Sequence, residues 1–168
     1  AVASSHYEWQ SSLRKLRGRG SGALEKVTGA DGIFELEVGL PNGSRLRKSL
    51  LMQAKKDWTG RDPRLAVQCG RMEAVGANLG IAVDYSKRGY SAIPAIAVVR
   101  SEGNRPEDDA VMQSLGTTLG RDFLDCTIGR LDVYYDAVRR LLVTPDAAGT
   151  RLTPYEVNYR LRTHVWKN

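Results

Sequence analysis

The sequence is poor in the residues that most often announce a function. It has two cysteines and two histidines in 168 residues. Cys69 and Cys126 lie far apart and neither stands beside a histidine pair, so no disulfide framework and no zinc site is written into the chain. Both read as small core residues, and a reducing cytoplasmic setting follows. His6 and His164 sit near opposite ends, which removes histidine-rich nuclease motifs and any Ser/His/Asp arrangement. No stretch approaches the roughly 18–20 consecutive apolar residues that span a bilayer, so no membrane partner is expected. No basic start followed by an apolar run marks a signal peptide. Neither G-x-G-x-x-G nor G-x-x-x-x-G-K-[ST] occurs, which excludes the nucleotide-cofactor sites those loops build. There is no internal repeat and no low-complexity tract. The chain opens on Ala1, which points to processing or to a piece of a longer protein.

What is present begins with charge. Lysine and arginine number 25 against 19 aspartates and glutamates, a net charge of +6. A basic domain of this size suits a polyanionic partner, though charge alone does not establish one. The length fits one domain with a proper core, taken as 1–168.

The apolar pattern sets out the elements. Residues 5–17 read as a basic helix ended by Gly18-Arg19-Gly20-Ser21-Gly22. From Ile33 to Leu40, Phe34, Leu36, Val38 and Leu40 alternate with Glu35 and Glu37, which predicts a strand with the glutamates toward solvent. Pro41-Asn42-Gly43-Ser44 is a turn signal. A second strand follows over about 47–55, with Leu50-Leu51-Met52 buried on both faces. Asp62-Pro63 opens a helix to about Ala77, where Leu65, Cys69, Met72 and Gly76 keep helical spacing. Leu79–Tyr85 reads as a buried strand and Ile93–Val99 as another, with Pro94 at its start or edge. Pro106 starts a helix lined by Val111, Leu115 and Leu119. Phe123–Ile128 fits either helix or strand. Leu131–Leu142 reads as an amphipathic helix that includes Tyr134 and Tyr135, and Tyr155–His164 as a last one. The order predicts an α/β sandwich with a mixed sheet.

One constellation carries chemistry. Asp31 stands just before the first hairpin strand. Gln53 and Lys55 are two apart at the end of the second, so they share a face. A hairpin brings these strand ends together, placing a carboxylate, an amide oxygen and an ammonium in a small volume. Phosphodiester hydrolysis uses such a set: hard oxygens hold a divalent ion, and a lysine orients water or offsets charge on phosphorus.

The segments Gly29-Ala30-Asp31-Gly32-Ile33 and Leu50-Leu51-Met52-Gln53-Ala54-Lys55 resemble the PD-(D/E)xK nuclease superfamily in its Gln-x-Lys variant, near restriction-endonuclease-like enzymes of the Mrr type and antiviral effector nucleases. The resemblance spans roughly residues 5–100. It departs from the commonest pattern in lacking a proline before Asp31 and in having an amide at Gln53. It implies a restriction-endonuclease-like α/β sandwich, a mixed central sheet flanked by helices. It further implies Mg²⁺ or Mn²⁺ held by Asp31, Gln53 and the Ala54 carbonyl, with Lys55 catalytic. Such families often add a glutamate from the first helix, for which Glu8 is the candidate, and some a glutamine from the following helix, for which Gln68 fits. Lys56, Arg61, Arg64 and Arg71 form a candidate phosphate-binding rim. The expected activity is DNA cleavage as the cutting module of an antiviral or restriction system, with a homodimer and a separate sensor domain as further expectations. An RNase of the same fold and a non-catalytic nucleic-acid-binding or assembly module remain open, as does a plain structural domain. Trp9, Trp58 and Trp166 suit packing better than base stacking.

Overall fold

The computed structural model describes residues 8–16, 23–108, 111–131, 133–136, 138, 141–144 and 160–165. Among them, eight strands form one mixed sheet. Strand β1 (Glu8–Lys15) is followed by a short helix α1 (Leu24–Thr28). Strands β2 (Gly32–Gly39) and β3 (Arg45–Lys56) form the hairpin. Helix α2 (Pro63–Val75) crosses to β4 (Gly80–Ser86), which turns into β5 (Gly89–Pro94). Helix α3 (Ala95–Arg100), the two-residue β6 (Gln113–Ser114) and helix α4 (Leu115–Thr117), continued by a π-helical stretch to Phe123, come next. The chain then forms β7 (Arg130–Leu131), β8 (Tyr134–Asp136), β9 (Leu141–Val143) and β10 (Arg160–Val165).

The sheet runs β10-β1-β2-β3-β4-β5-β6, with β7 also on β3; β8 and β9 pair separately. Only β3 and β4 are parallel neighbours, joined through α2 as parallel strands require. Asp62 explains where α2 begins: its Oδ1 accepts the Leu65 N–H at 2.8 Å, and Pro63 takes the first turn, where a missing N–H costs nothing. Leu65, Cys69 and Met72 then point inward, at 0% exposure each. They pack with Ile33, Leu51, Ala82 and Ile93 on one sheet face. The opposite face buries Leu50, Ile81, Val83 and Ala92 against Phe123 and Ile128. Burying apolar area on both faces is what makes β3 and β4 continuous apolar runs.

Several expectations need correction. The first described segment is strand β1, not a helix: it pairs with both β2 and β10. Its inward face carries Ser12 and Arg14, both buried, so the apolar alternation that marks a strand is missing. The predicted strand over 93–99 ends at Pro94 and continues as α3. The run from Pro106 is interrupted by the extended pair Gln113–Ser114, and helix begins only where Ser114 caps the Thr117 N–H at 3.0 Å. Val111, expected inside, is 53% exposed. The described parts of Leu131–Leu142 are not helical: Tyr134–Asp136 pairs as a strand with Leu141–Val143. The described part of the last expected helix, 160–165, is strand β10. Cys126 is exposed, while Cys69 is buried and its thiol is pushed up to about 12 by burial. Residues 17–22 and Trp166 lie outside the described residues.

Candidate active site

The site forms where β2 ends before β3 does. Asp31 extends β2 by one residue: its N–H donates to the Met52 carbonyl at 2.8 Å, and its own carbonyl accepts from Leu16 at 2.6 Å. One step further, Ala54 meets no ladder partner on that edge. Its N–H instead donates to Asp31 Oδ2 at 2.9 Å. The N–H and C=O of one strand residue leave by the same edge. The Ala54 carbonyl therefore opens into the same gap, where Gln53 Nε2 reaches it at only 3.4 Å.

Gln53 sits under α2 at 4% exposure and donates Nε2 to Asp31 Oδ2 at 2.6 Å. Its Oε1 is buried and has no partner among the described residues. A buried unpartnered amide oxygen costs about 1–3 kcal/mol, which is tolerated where a ligand can later satisfy it. Lys55, two residues on, is held by Asp62 Oδ2 at 2.7 Å. One carboxylate thus caps α2 and holds the Lys55 ammonium. Burial raises the Asp62 carboxyl, but Lys55 and the N–H groups of Leu65 and Arg64 outweigh it and leave its pKa lowered.

Asp31 behaves differently. Burial raises its pKa, against the opposing pull of the Ala54 N–H and the cations Lys15, Lys55 and Arg64. A second carboxylate was not anticipated: Glu25 on α1. Its pKa is raised by burial and then by the negative charge of Asp31. Lys15, Glu25, Asp31, Met52, Ala54 and Tyr85 border a cavity of about 640 Å³. The signal for Glu25 in the sequence was faint, since α1 is five residues long.

Gly29 makes this geometry possible. It ends α1 at φ 75°, and a Cβ there would lie 2.1 Å from the Gln68 carbonyl oxygen. Glycine alone accepts that close, left-handed turn, which sets α1 onto α2 and delivers Asp31 to the end of β2.

The structure thus gathers Asp31, Gln53 and Ala54, while Lys55 is paired with Asp62, and the charges of Lys15, Lys55 and Arg64 oppose the rise of the Asp31 pKa without cancelling it. Gln68 lies behind Gly29, its Oε1 buried without a partner among the described residues. Glu8 does not belong to the site. It pairs with Gly39 at the far end of β1, whereas Lys15, at the near end, pairs with Gly32. Lys56 is exposed beside the site. Arg61 is committed to Glu102 at 2.7 Å, and Arg71 to the Lys26 carbonyl at 2.8 Å. Glu35 and Glu37 do not simply face solvent. Glu35 pairs with Arg14 at 2.9 Å, and Glu37 with Arg45 at 2.6 Å and Arg47 at 2.8 Å.

Among the described residues no three His, Cys, Asp or Glu side chains form a metal-binding cluster. The hard-oxygen set at this strand end is instead the Asp31 carboxylate, the Ala54 carbonyl and the Gln53 amide, with Glu25 across the cavity. The Gln53 amide presents Nε2 to Asp31 as it stands; turned over, its unpartnered oxygen would join the Asp31 carboxylate as a hard-oxygen pair of the kind a divalent cation or a proton bridges. Two carboxylates at most suit an ion that keeps several waters.

No family model matches the chain, and neither a curated protein nor a solved structure matches it either.

Proposed function

We propose that this chain is a metal-dependent nuclease of restriction-endonuclease-like fold that hydrolyses DNA phosphodiester bonds. The observation that carries the reading is the convergence of Asp31, Gln53 and the Ala54 backbone where β2 stops, with Lys55 beside them. Asp31, Gln53 and Ala54 would hold Mg²⁺ or Mn²⁺. Such an ion, when bound, polarises a phosphate and lowers the pKa of its water. Lys15, Lys55 and Arg64 supply the cationic surroundings that draw in a phosphodiester and offset charge on it in the transition state. Lys55 would have to leave Asp62 to meet a phosphate. Gln68 supports this arrangement from behind Gly29.

The setting we propose is the cytoplasmic cutting module of an antiviral or restriction system, working as a homodimer and triggered by a separate sensor domain. No helix among the described residues is long and apolar enough to cross a membrane.

The test is cleavage of plasmid DNA and of RNA with Mg²⁺ or Mn²⁺ by wild type, Asp31→Ala and Lys55→Ala. Cleavage abolished by EDTA and by both substitutions is the expected result. Cleavage that survives both would remove this site from the mechanism. RNA cleavage alone would make the enzyme a ribonuclease on the same chemistry. Nucleic acid bound but not cut by the wild type would favour a binding module.

A further inference from the structure

Beyond Asp31 the cavity reaches Tyr85, one of an exposed aromatic pair. Tyr85 and Tyr90 face each other across the β4–β5 hairpin, their ring centroids 6.3 Å apart and their planes 26° from parallel. They remain 37% and 63% exposed. Tyr85 also lines the cavity that holds Asp31 and Lys15. The register carries this surface sideways: Lys56 on β3 pairs with Tyr85, and Tyr85 with Tyr90, so all three stand on one sheet face. Met52 and Ala54 lie on that face as well, whereas Gln53 and Lys55 lie on the other. Between the tyrosines, the turn Ser86-Lys87-Arg88-Gly89 is fully exposed. Cations and open rings therefore continue from the carboxylates for the whole width of β3–β5.

Two exposed aromatic rings beside an open cavity match a base with no pairing partner. A paired base hides its faces in the stack, and a duplex would offer this row only phosphates. Base–aromatic stacking is tolerant of sequence and works together with cations that follow the backbone. We propose that Tyr85 and Tyr90 form a stacking platform for an unpaired nucleotide next to the scissile phosphate, with Lys56, Lys87 and Arg88 following the strand. The substrate is then a single strand, or the single-stranded part of a larger nucleic acid. The inference rests on the nuclease reading for its substrate class, but it concerns a different set of residues.

A purely structural alternative is a cross-strand pair that only steadies the hairpin. The experiment separates the two. Short labelled oligonucleotides (single-stranded DNA, single-stranded RNA and a blunt duplex of equal length) are titrated by anisotropy in EDTA, and the same samples are assayed for cleavage after Mn²⁺ is added. The proteins are wild type, Tyr90→Leu, Tyr90→Phe and Asp31→Asn. The platform predicts that wild type binds single strands more tightly than duplex. It also predicts that Tyr90→Leu weakens single-strand binding about 5- to 150-fold and that Tyr90→Phe restores it. Cleavage that depends on Asp31, with Tyr90→Leu binding like wild type, overturns the platform and leaves the nuclease standing. Binding that depends on Tyr90, with no cleavage, keeps the platform and overturns the nuclease. A preference for duplex, or no binding by the wild type, overturns the platform. The DNA and RNA arms show which sugar the strand carries.

Discussion

Two half-buried carboxylates on the same run of chain, Asp31 and Glu35, show how scaffold and site differ. Burial raises the pKa of both. Glu35 has the Arg14 guanidinium at 2.9 Å as counter-charge, the Tyr135 N–H at 2.7 Å on Oε1, and the Ser12 side chain, although its Oε2, like the Gln53 amide oxygen, lacks a hydrogen bond among the described residues. Arg14 in turn lies over the Tyr135 ring, 5.1 Å from its centroid. That network ties β1 and β2 to β8. Asp31 has two donors, Gln53 and Ala54, and the amide that serves it leaves its own oxygen unpartnered among the described residues. A half-buried carboxylate met by a nearly buried guanidinium serves the fold; one held only by an amide and a backbone N–H beside an open cavity leaves room for a ligand.

The comparison breaks most sharply on Asp31→Asn. Cleavage should fall about a hundredfold or more, while Tm holds or rises, because the substitution removes a charge that burial disfavours. The sign follows from proton binding. With a raised native pKa, the folded chain binds more protons than the unfolded one between the two pKa values. Stability is therefore lost as pH rises through that window, and the penalty is complete above it. The advantage of Asn should accordingly be absent at low pH and present at neutral pH in thermal melts.

Gly29→Ala joins both halves of the comparison. Its Cβ would strike the Gln68 carbonyl and its φ of 75° is strained. Roughly 3 kcal/mol or more should be lost, about 6–12 °C in Tm, and activity per folded molecule should fall as Asp31 shifts. Unchanged melting would show that α1 does not set the position of Asp31.

Glu35→Gln should do the reverse of Asp31→Asn. It leaves the Arg14 guanidinium buried without its counter-charge, a loss of about 3 kcal/mol. Specific cleavage by the folded fraction should stay within about threefold of wild type. The smallest effect is expected from Glu25→Gln. Cleavage should change by about threefold to tenfold, mostly as a higher Mn²⁺ requirement.

The sequence made parts of this legible and hid others for physical reasons. The β2–β3 hairpin, α2 and β4 carry signals that survive burial: alternation, a Pro-Asn-Gly turn, and an Asp-Pro cap. Asp31, Gln53 and Lys55 could therefore be placed together. Strand β1 was read as a helix because its inward face is polar, with Ser12 and Arg14 buried at 6% and 7%. That reading also drew attention to Glu8, at the far end of β1, and away from Glu25, which borders the cavity beside Asp31. Ala92–Val99 is one apolar run in which periodicity does not separate β5 from α3. The short strands after residue 110 get their order from pairing with distant partners, as Lys48 with Leu131, which local pattern does not encode. The stacked pair Tyr85 and Tyr90 escaped notice because only the hairpin register brings the rings together.

The most direct measurement is Mn²⁺ binding, followed by electron paramagnetic resonance, on wild type, Asp31→Asn and Glu35→Gln. One tightly held ion per chain in wild type and Glu35→Gln, lost in Asp31→Asn, is the predicted result. Equal binding by wild type and Asp31→Asn would contradict the assignment of Asp31 as the centre of the site.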